Sequence, residues 1–247
     1  MSEKVLEVAG LNKTYEKFAL RDVSFAVERG SIMGFIGRNG AGKTTTMKSI
    51  LNLVHPDSGE IRYFGLELRA NEAAIKRRIG FAGGAVDYYR RRRISDLLAV
   101  TRTFYDNWDA AACEKYLSAF ALDPGKTVAQ LSEGMRVKLN LTMALSHRAE
   151  LLILDEPTSG LDPVSREELL DIFRLLRDRG VSILFSTHIT SDLDKCADAI
   201  TYIREGRVLA TGAMDAWLET CRARGIGGSL EDIMLHYEKE ALHERLA

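Results

Sequence analysis

Apolar and polar residues follow two different periods along this chain, and the change of period divides it into three zones. Up to about residue 64 the short period dominates. Val5, Leu6 and Val8 alternate loosely with polar neighbours, while Val23, Phe25 and Val27 alternate strictly, as half-buried strands require. Ile32, Met33, Phe35 and Ile36 form a short apolar strand that runs into a glycine-rich turn. A helix is predicted next, through Thr45, Met47, Ile50, Leu51 and Val54, with Pro56 just beyond it. From about Arg77 to Arg148 the period turns helical. Leu97, Leu98, Phe104 and Tyr105 fit one segment, and Tyr116, Leu117, Phe120 and Leu122 another.

From Leu151 both periods return. Residues 151–154 read as a buried strand, 167–179 as an amphipathic helix closed by Gly180, and 181–185 as a further strand. Residues 200–203 and 207–210 suggest a hairpin around Glu205-Gly206. The tail from Gly228 reads as helical, with Leu230, Ile233, Met234 and Tyr237 on one face. No Pro- or Ser-rich linker separates the zones. The expectation is one α/β domain over 1–247, with a core from about 1–76 and 149–247 interrupted by a helical insertion over about 77–148.

Composition narrows the function without naming it. The 247 residues are 46% apolar and 28% charged, ordinary for a globular protein with a sizeable core. A formal net charge of -1 gives no electrostatic footprint for nucleic acid, and none is expected as a partner. Cys113, Cys196 and Cys221 lie far apart with no CxxC pair, which argues against a metal or disulfide framework and for a reducing compartment. The opening MSEKVLEVAGL lacks the basic segment and apolar core of a signal peptide. Runs such as 151–154 are far short of the roughly 20 residues that cross a bilayer. A cytoplasmic location is expected, with any membrane role coming through a partner.

The chemistry is concentrated in two segments. Gly37-Arg38-Asn39-Gly40-Ala41-Gly42-Lys43-Thr44 matches GxxxxGK[ST] in full, between a predicted strand and a predicted helix. Glycines let the backbone close around an anion so that successive N–H groups point at phosphate oxygens, and the following helix presents its positive end to them. Gly37, Asn39, Gly40, Gly42, Lys43, Thr44 and Thr45 are the candidate ATP-binding residues. Lys43 would reach the β- and γ-phosphates, and the Thr44 hydroxyl would ligate Mg²⁺. The second segment, 151–156, is an apolar strand ending in Asp155 and Glu156. Ligand groups collect at the carboxyl ends of such strands. Asp155 would hold Mg²⁺, and Glu156 would orient or deprotonate the attacking water.

At these residues the chain resembles the ABC ATPase family, over nearly its whole length. Leu131-Ser132-Glu133-Gly134-Met135 is similar to the family's LSGGQ signature. In the family that segment caps the γ-phosphate bound to the other subunit, and the resemblance gives those roles to Ser132 and Gly134. It also implies that Tyr15 stacks on adenine, that Ser159-Gly160-Leu161-Asp162 is the loop that meets the opposite subunit, and that His188, after Ser186-Thr187, is the switch histidine contacting the γ-phosphate. The implied fold is a P-loop NTPase with a mixed β core, an ABC-type helical subdomain insertion and an N-terminal antiparallel β region. LSEGM together with Phe104-Tyr105-Asp106-Asn107-Trp108-Asp109 resembles bacterial exporter ATPases of the bacitracin- and lantibiotic-resistance type.

Where the family carries Gln after IGYxP, this chain has Ile79-Gly80-Phe81-Ala82-Gly83-Gly84, so Gly84 falls at the Gln position. Asp87 is the side chain near enough in sequence to substitute. Arg90-Arg91-Arg92-Arg93 is a basic run that serves either as a solvated face or as a dock for a membrane subunit. The resemblance implies a second ABC ATPase subunit, because Ser132 and Gly134 must meet the loop around Lys43 of another chain. It further implies integral membrane permease subunits that hold the ATPase at the cytoplasmic face. The alternatives are a soluble ABC-type ATPase with a regulatory role, and a P-loop kinase or GTPase switch, which leaves Ser132, Gly134 and His188 without roles.

Overall fold

The computed structural model describes the backbone of residues 3–83 and 89–246, with side chains up to 240. The first stretch contains β1 (Lys4–Thr14), β2 (Ala19–Glu28), β3 (Ile32–Ile36), α1 (Lys43–Ile50), β4 (Ser58–Tyr63) and β5 (Leu66–Glu67). Then come α2 (Glu72–Lys76), β6 (Ile79–Ala82), α3 (Ile94–Arg102), α4 (Ala110–Ala119) and α5 (Glu133–Ser146). The remainder is β7 (Leu151–Asp155), α6 (Pro163–Asp178), β8 (Ser182–Thr187), α7 (Thr190–Cys196), β9 (Ala199–Arg204), β10 (Arg207–Ala213), α8 (Met214–Ala223) and α9 (Leu230–Leu246).

Two sheets organise these elements. One is antiparallel, in the order β2-β1-β4-β5. The other runs β10-β9-β3-β8-β7-β6 and is parallel except for the edge strand β10. Side-chain alternation along the parallel strands splits the interior in two. Met33, Phe35, Leu151, Ile153 and Leu184 face the antiparallel sheet and α1. Ile32, Ile36, Leu152, Leu154, Ile183 and Phe185 face the helices on the opposite side. A third, smaller cluster of Ile94, Leu98, Cys113, Leu122, Val128, Leu131 and Leu139 holds α3, α4 and α5 together.

Helical structure between 77 and 148 begins later than its composition suggests. Residues 79–82 form β6, which pairs with β7 from Ile79↔Leu151 to Ala82↔Leu154, and the first helix of the insertion starts at Ile94. Likewise α1 stops at Ile50, because Asn52 turns left-handed (φ 58°) and Leu53 emerges into solvent. The amino ends of the core strands are tied by charge. Arg78 donates to both oxygens of Glu150 (2.5 and 3.0 Å), Arg29 donates to the same carboxylate (3.0 Å), and the Arg78 hydrogen bond above all lowers the Glu150 pKa.

Gly80 is the point where the helical insertion rests on the core. A Cβ there would lie 2.4 Å from Ala144 Cβ on α5 and 2.8 Å from Leu152 Cδ2 on β7. Gly80→Ala is therefore expected to lower the stability of the chain by about 1–3 kcal/mol through overpacking. Chemical denaturation should show the shift, and an unchanged midpoint would mean that α5 can move away from the sheet.

Candidate functional site

The site begins where β3 ends. The chain turns through residues 37–42 and enters α1 at Lys43. Gly42 has φ 113°, and a Cβ on it would meet Leu20 Cδ2 at 2.7 Å and Phe18 Cζ at 2.9 Å, so both backbone and packing require glycine. Gly37 presses against the carbonyl of Ile203, 2.4 Å from where its Cβ would stand. The turn after β9 holds the loop from below, with the Gly206 N–H donating to the Ala41 carbonyl (2.9 Å). Within this frame Lys43 is 5% exposed. Its Nζ donates to the carbonyls of Gly37 (2.7 Å) and Arg38 (3.3 Å) and pairs with Glu156 Oε1 at 3.0 Å.

Glu156 is the residue just beyond β7, and it is held from three sides. Besides Lys43, its Oε2 lies 2.8 Å from His188 Nδ1. Its backbone N–H donates to Ser186 Oγ at 2.9 Å, and its φ of 51° puts it in the left-handed region that non-glycine residues rarely occupy. Ser186 in turn donates to Asp155 Oδ1 at 2.5 Å. These contacts follow from the parallel register, which sets Asp155 opposite Ser186 and Ile36 opposite Thr187.

A cleft of 580 Å³ is lined by Asn39, Gly40, Gly42, Lys43, Thr44 and Thr45 from the loop and helix, and by Glu156, Ser159 and His188 from across the sheet. Lys17 and Phe18 complete it from the β1–β2 turn. Gly37, which begins the loop, packs on Ile203 and does not line the cleft. Asp155 lines an adjoining 420 Å³ cavity that shares Glu156 and Ser159 with the cleft. Tyr15 stands outside the cleft lining and is 44% exposed, because its N–H donates to the Phe18 carbonyl (2.7 Å) and closes a tight turn. Ser132 and Gly134 do not line this chain's cleft. Ser132 caps α5, accepting from the Met135 N–H at 3.3 Å, and a Cβ on Gly134 would make only ordinary contact with Ser165 and Leu161. Asp162 caps α6 through the N–H groups of Val164 and Ser165. Gly84 and Asp87 lie outside the described residues.

Chemically the cleft offers a buried cation and glycine-shaped backbone for polyphosphate. Beside them stand a carboxylate and an imidazole able to accept and orient a proton. Sequence reasoning gave Ser186 no role of its own. The signal was a polar residue directly after the apolar stretch Ile183-Leu184-Phe185, and only the β7–β8 register reveals which groups it joins.

Residues 20–159 match a family model described as ABC transporter. The chain is 34% identical to the bacitracin transport ATP-binding protein BcrA of Bacillus licheniformis over 83% of this chain and 68% of that one. It is 37% identical to the daunorubicin resistance ATP-binding protein DrrA3 of Streptomyces coeruleorubidus, over 87% and 70% respectively. A solved ATP-binding subunit of an ABC transporter superposes with TM-score 0.83 at 31% identity, over 94% of this chain and 98% of that one. Ser186→Ala removes the Oγ that links Glu156 to Asp155. Losing hydrogen bonds of this kind costs about 1.4 kcal/mol, a roughly tenfold fall in ATP turnover. Nucleotide affinity should stay within about twofold, and steady-state rates equal to those of the parent would deny Ser186 any positioning role.

Proposed function

Because the chain belongs to the ABC transporter family, as an ATP-hydrolysing nucleotide-binding subunit, we propose that it drives export through membrane-spanning subunits carried on separate chains. Among the described residues no helix is long and apolar enough to cross a membrane. The roles of its relatives in bacitracin transport and daunorubicin resistance support the export direction. The single observation that carries the site assignment is Glu156, gripped by Lys43 on one oxygen and His188 on the other at the mouth of the glycine loop.

In this reading the loop N–H groups, Lys43 and Thr45 bind the phosphates, with Gly37, Asn39, Gly40 and Gly42 shaping the backbone. Thr44 and Asp155 are hard oxygen donors suited to Mg²⁺, which when bound would neutralise charge on the phosphates. As Lys43 engages phosphate, Glu156 exchanges its ion pair for the attacking water and takes up its proton, while His188 keeps the carboxylate oriented and contacts the γ-phosphate. Tyr15 reaches adenine from the β1–β2 turn. Ser132 and Gly134, at the amino end of α5, serve the cleft of a second ATPase subunit. A head-to-tail pair then completes two sites by two-fold symmetry. The membrane partner meets the insertion beside residues 90–93, where Phe81, Tyr89 and Val100 line a 280 Å³ groove. In this reading the chain works at the cytoplasmic face of the membrane.

Glu156→Gln tests the chemistry and the pairing together. It keeps size and hydrogen-bonding capacity but loses the charge that accepts a proton. Hydrolysis should become very slow, and ATP held between two chains should drive dimerisation by mass action. Size-exclusion chromatography with light scattering should show a dimer with ATP and a monomer without it, and Ser132→Arg should abolish the shift. Full hydrolysis by Glu156→Gln would remove Glu156 from catalysis, and a monomer at saturating ATP would count against a homodimer.

A further inference from the structure

The amphipathic tail helix α9 makes one contact that its packing does not require. Leu230 and Ile233 are fully buried, and Leu230 and Met234 pack into the cluster on the helical side of the parallel sheet. That burial is enough to dock the helix. Further along, Glu238 reaches in two directions. Its Oε1 accepts from Tyr202 Oη at 3.0 Å, and its Oε2 pairs with Arg38 Nη1 at 3.1 Å.

Tyr202 is fully buried and needs an acceptor for its hydroxyl. A neutral side chain such as glutamine would satisfy it. The negative charge has a different recipient, Arg38, the second residue of the glycine loop. Arg38 is joined to the site through its backbone, since its carbonyl accepts from Lys43 Nζ (3.3 Å) and from the Ala41 N–H (3.1 Å).

The intervening strand works in the same sense. Tyr202 and Arg204 on β9 both engage α9, the first through Glu238 and the second by donating to the Tyr237 carbonyl at 2.7 Å. Ile203, between them, faces the other way and backs Gly37 and Gly42. The loop therefore rests on β9 from beneath and is tethered to α9 at its exposed first turn.

We propose that α9 is a strut for the phosphate loop and that Glu238 is a positioning residue for nucleotide binding. The proposal rests on the reading of residues 37–45 as the phosphate site. Without the tether the first turn of the loop samples more conformations, and apparent affinity falls in proportion to the fraction that remains competent. Arg38 is 72% exposed, so solvent screening limits the effect to about three- to fivefold.

The test measures ATP hydrolysis and equilibrium binding of a fluorescent ATP analogue on the full chain. Glu238→Gln keeps the acceptor for Tyr202 and removes only the charge. It should raise Kd and KM by about three- to fivefold with kcat within about twofold. Arg38→Ala should do the same. The double variant should be no weaker than the worse single one, because both remove one interaction. The difference between Glu238→Gln and the parent should shrink at about 0.5 M salt. An unchanged KM, or effects that multiply in the double variant, would overturn the strut. Lys43→Ala separates the two levels of the reading. If it loses binding while Glu238→Gln does not, the strut alone falls; if Lys43→Ala still binds normally, the phosphate site and the strut fall together.

Discussion

The parallel pairing of β8 between β3 and β7 is the constraint on which the rest of the site depends. It brings three strand ends level, with Ile36 opposite Thr187 and Asp155 opposite Ser186. Each strand then releases its chain toward the same cleft, one as the glycine loop, one at Glu156 and one at His188. A slip of one residue in either pairing would turn Ser186 to the opposite face and break the link between Asp155 and Glu156. The fully apolar interiors of β3, β7 and β8 fix that register through burial, so the hydrophobic core sets the geometry of the polar site.

Within that frame the chemistry turns on how a buried lysine is partnered. An ammonium removed from water is costly unless it is paired and hydrogen-bonded. Lys43 meets the requirement with two loop carbonyls and Glu156. The same contacts make the lysine and the glutamate interdependent. What draws Lys43 toward phosphate also changes the electrostatic environment of the carboxylate beside it. The cation of the loop and the carboxylate after β7 are thereby coupled directly, across 3.0 Å.

Much of this was legible in the sequence because it is local. The glycine loop is contiguous, Asp155 and Glu156 are adjacent, and the apolar periods gave the strands that flank them. The tail helix, with Leu230, Ile233 and Met234 buried and Tyr237 partly so, is legible for the same reason. What could not be read depends on separation. Glu238 and Arg38 lie 200 positions apart, and Ser186 meets Asp155 across 31. The segment 79–82 resembles its helical surroundings in composition, and only its pairing with β7 makes it a strand. Tyr15 and Phe18 look interchangeable in one dimension. The turn between them decides which ring lies under Gly42.

The left-handed backbone of Glu156 ties local strain to the pairing of a buried charge. A non-glycine residue held there stores strain of about 1–3 kcal/mol, and the neighbouring strands must supply it. Glycine would relax that backbone and leave no carboxylate at the cleft. It would also leave Lys43 buried without its counter-ion, a cost at least as large as the strain relieved. The strained turn and the buried lysine therefore hold one another in place, and relief of either one exposes the other.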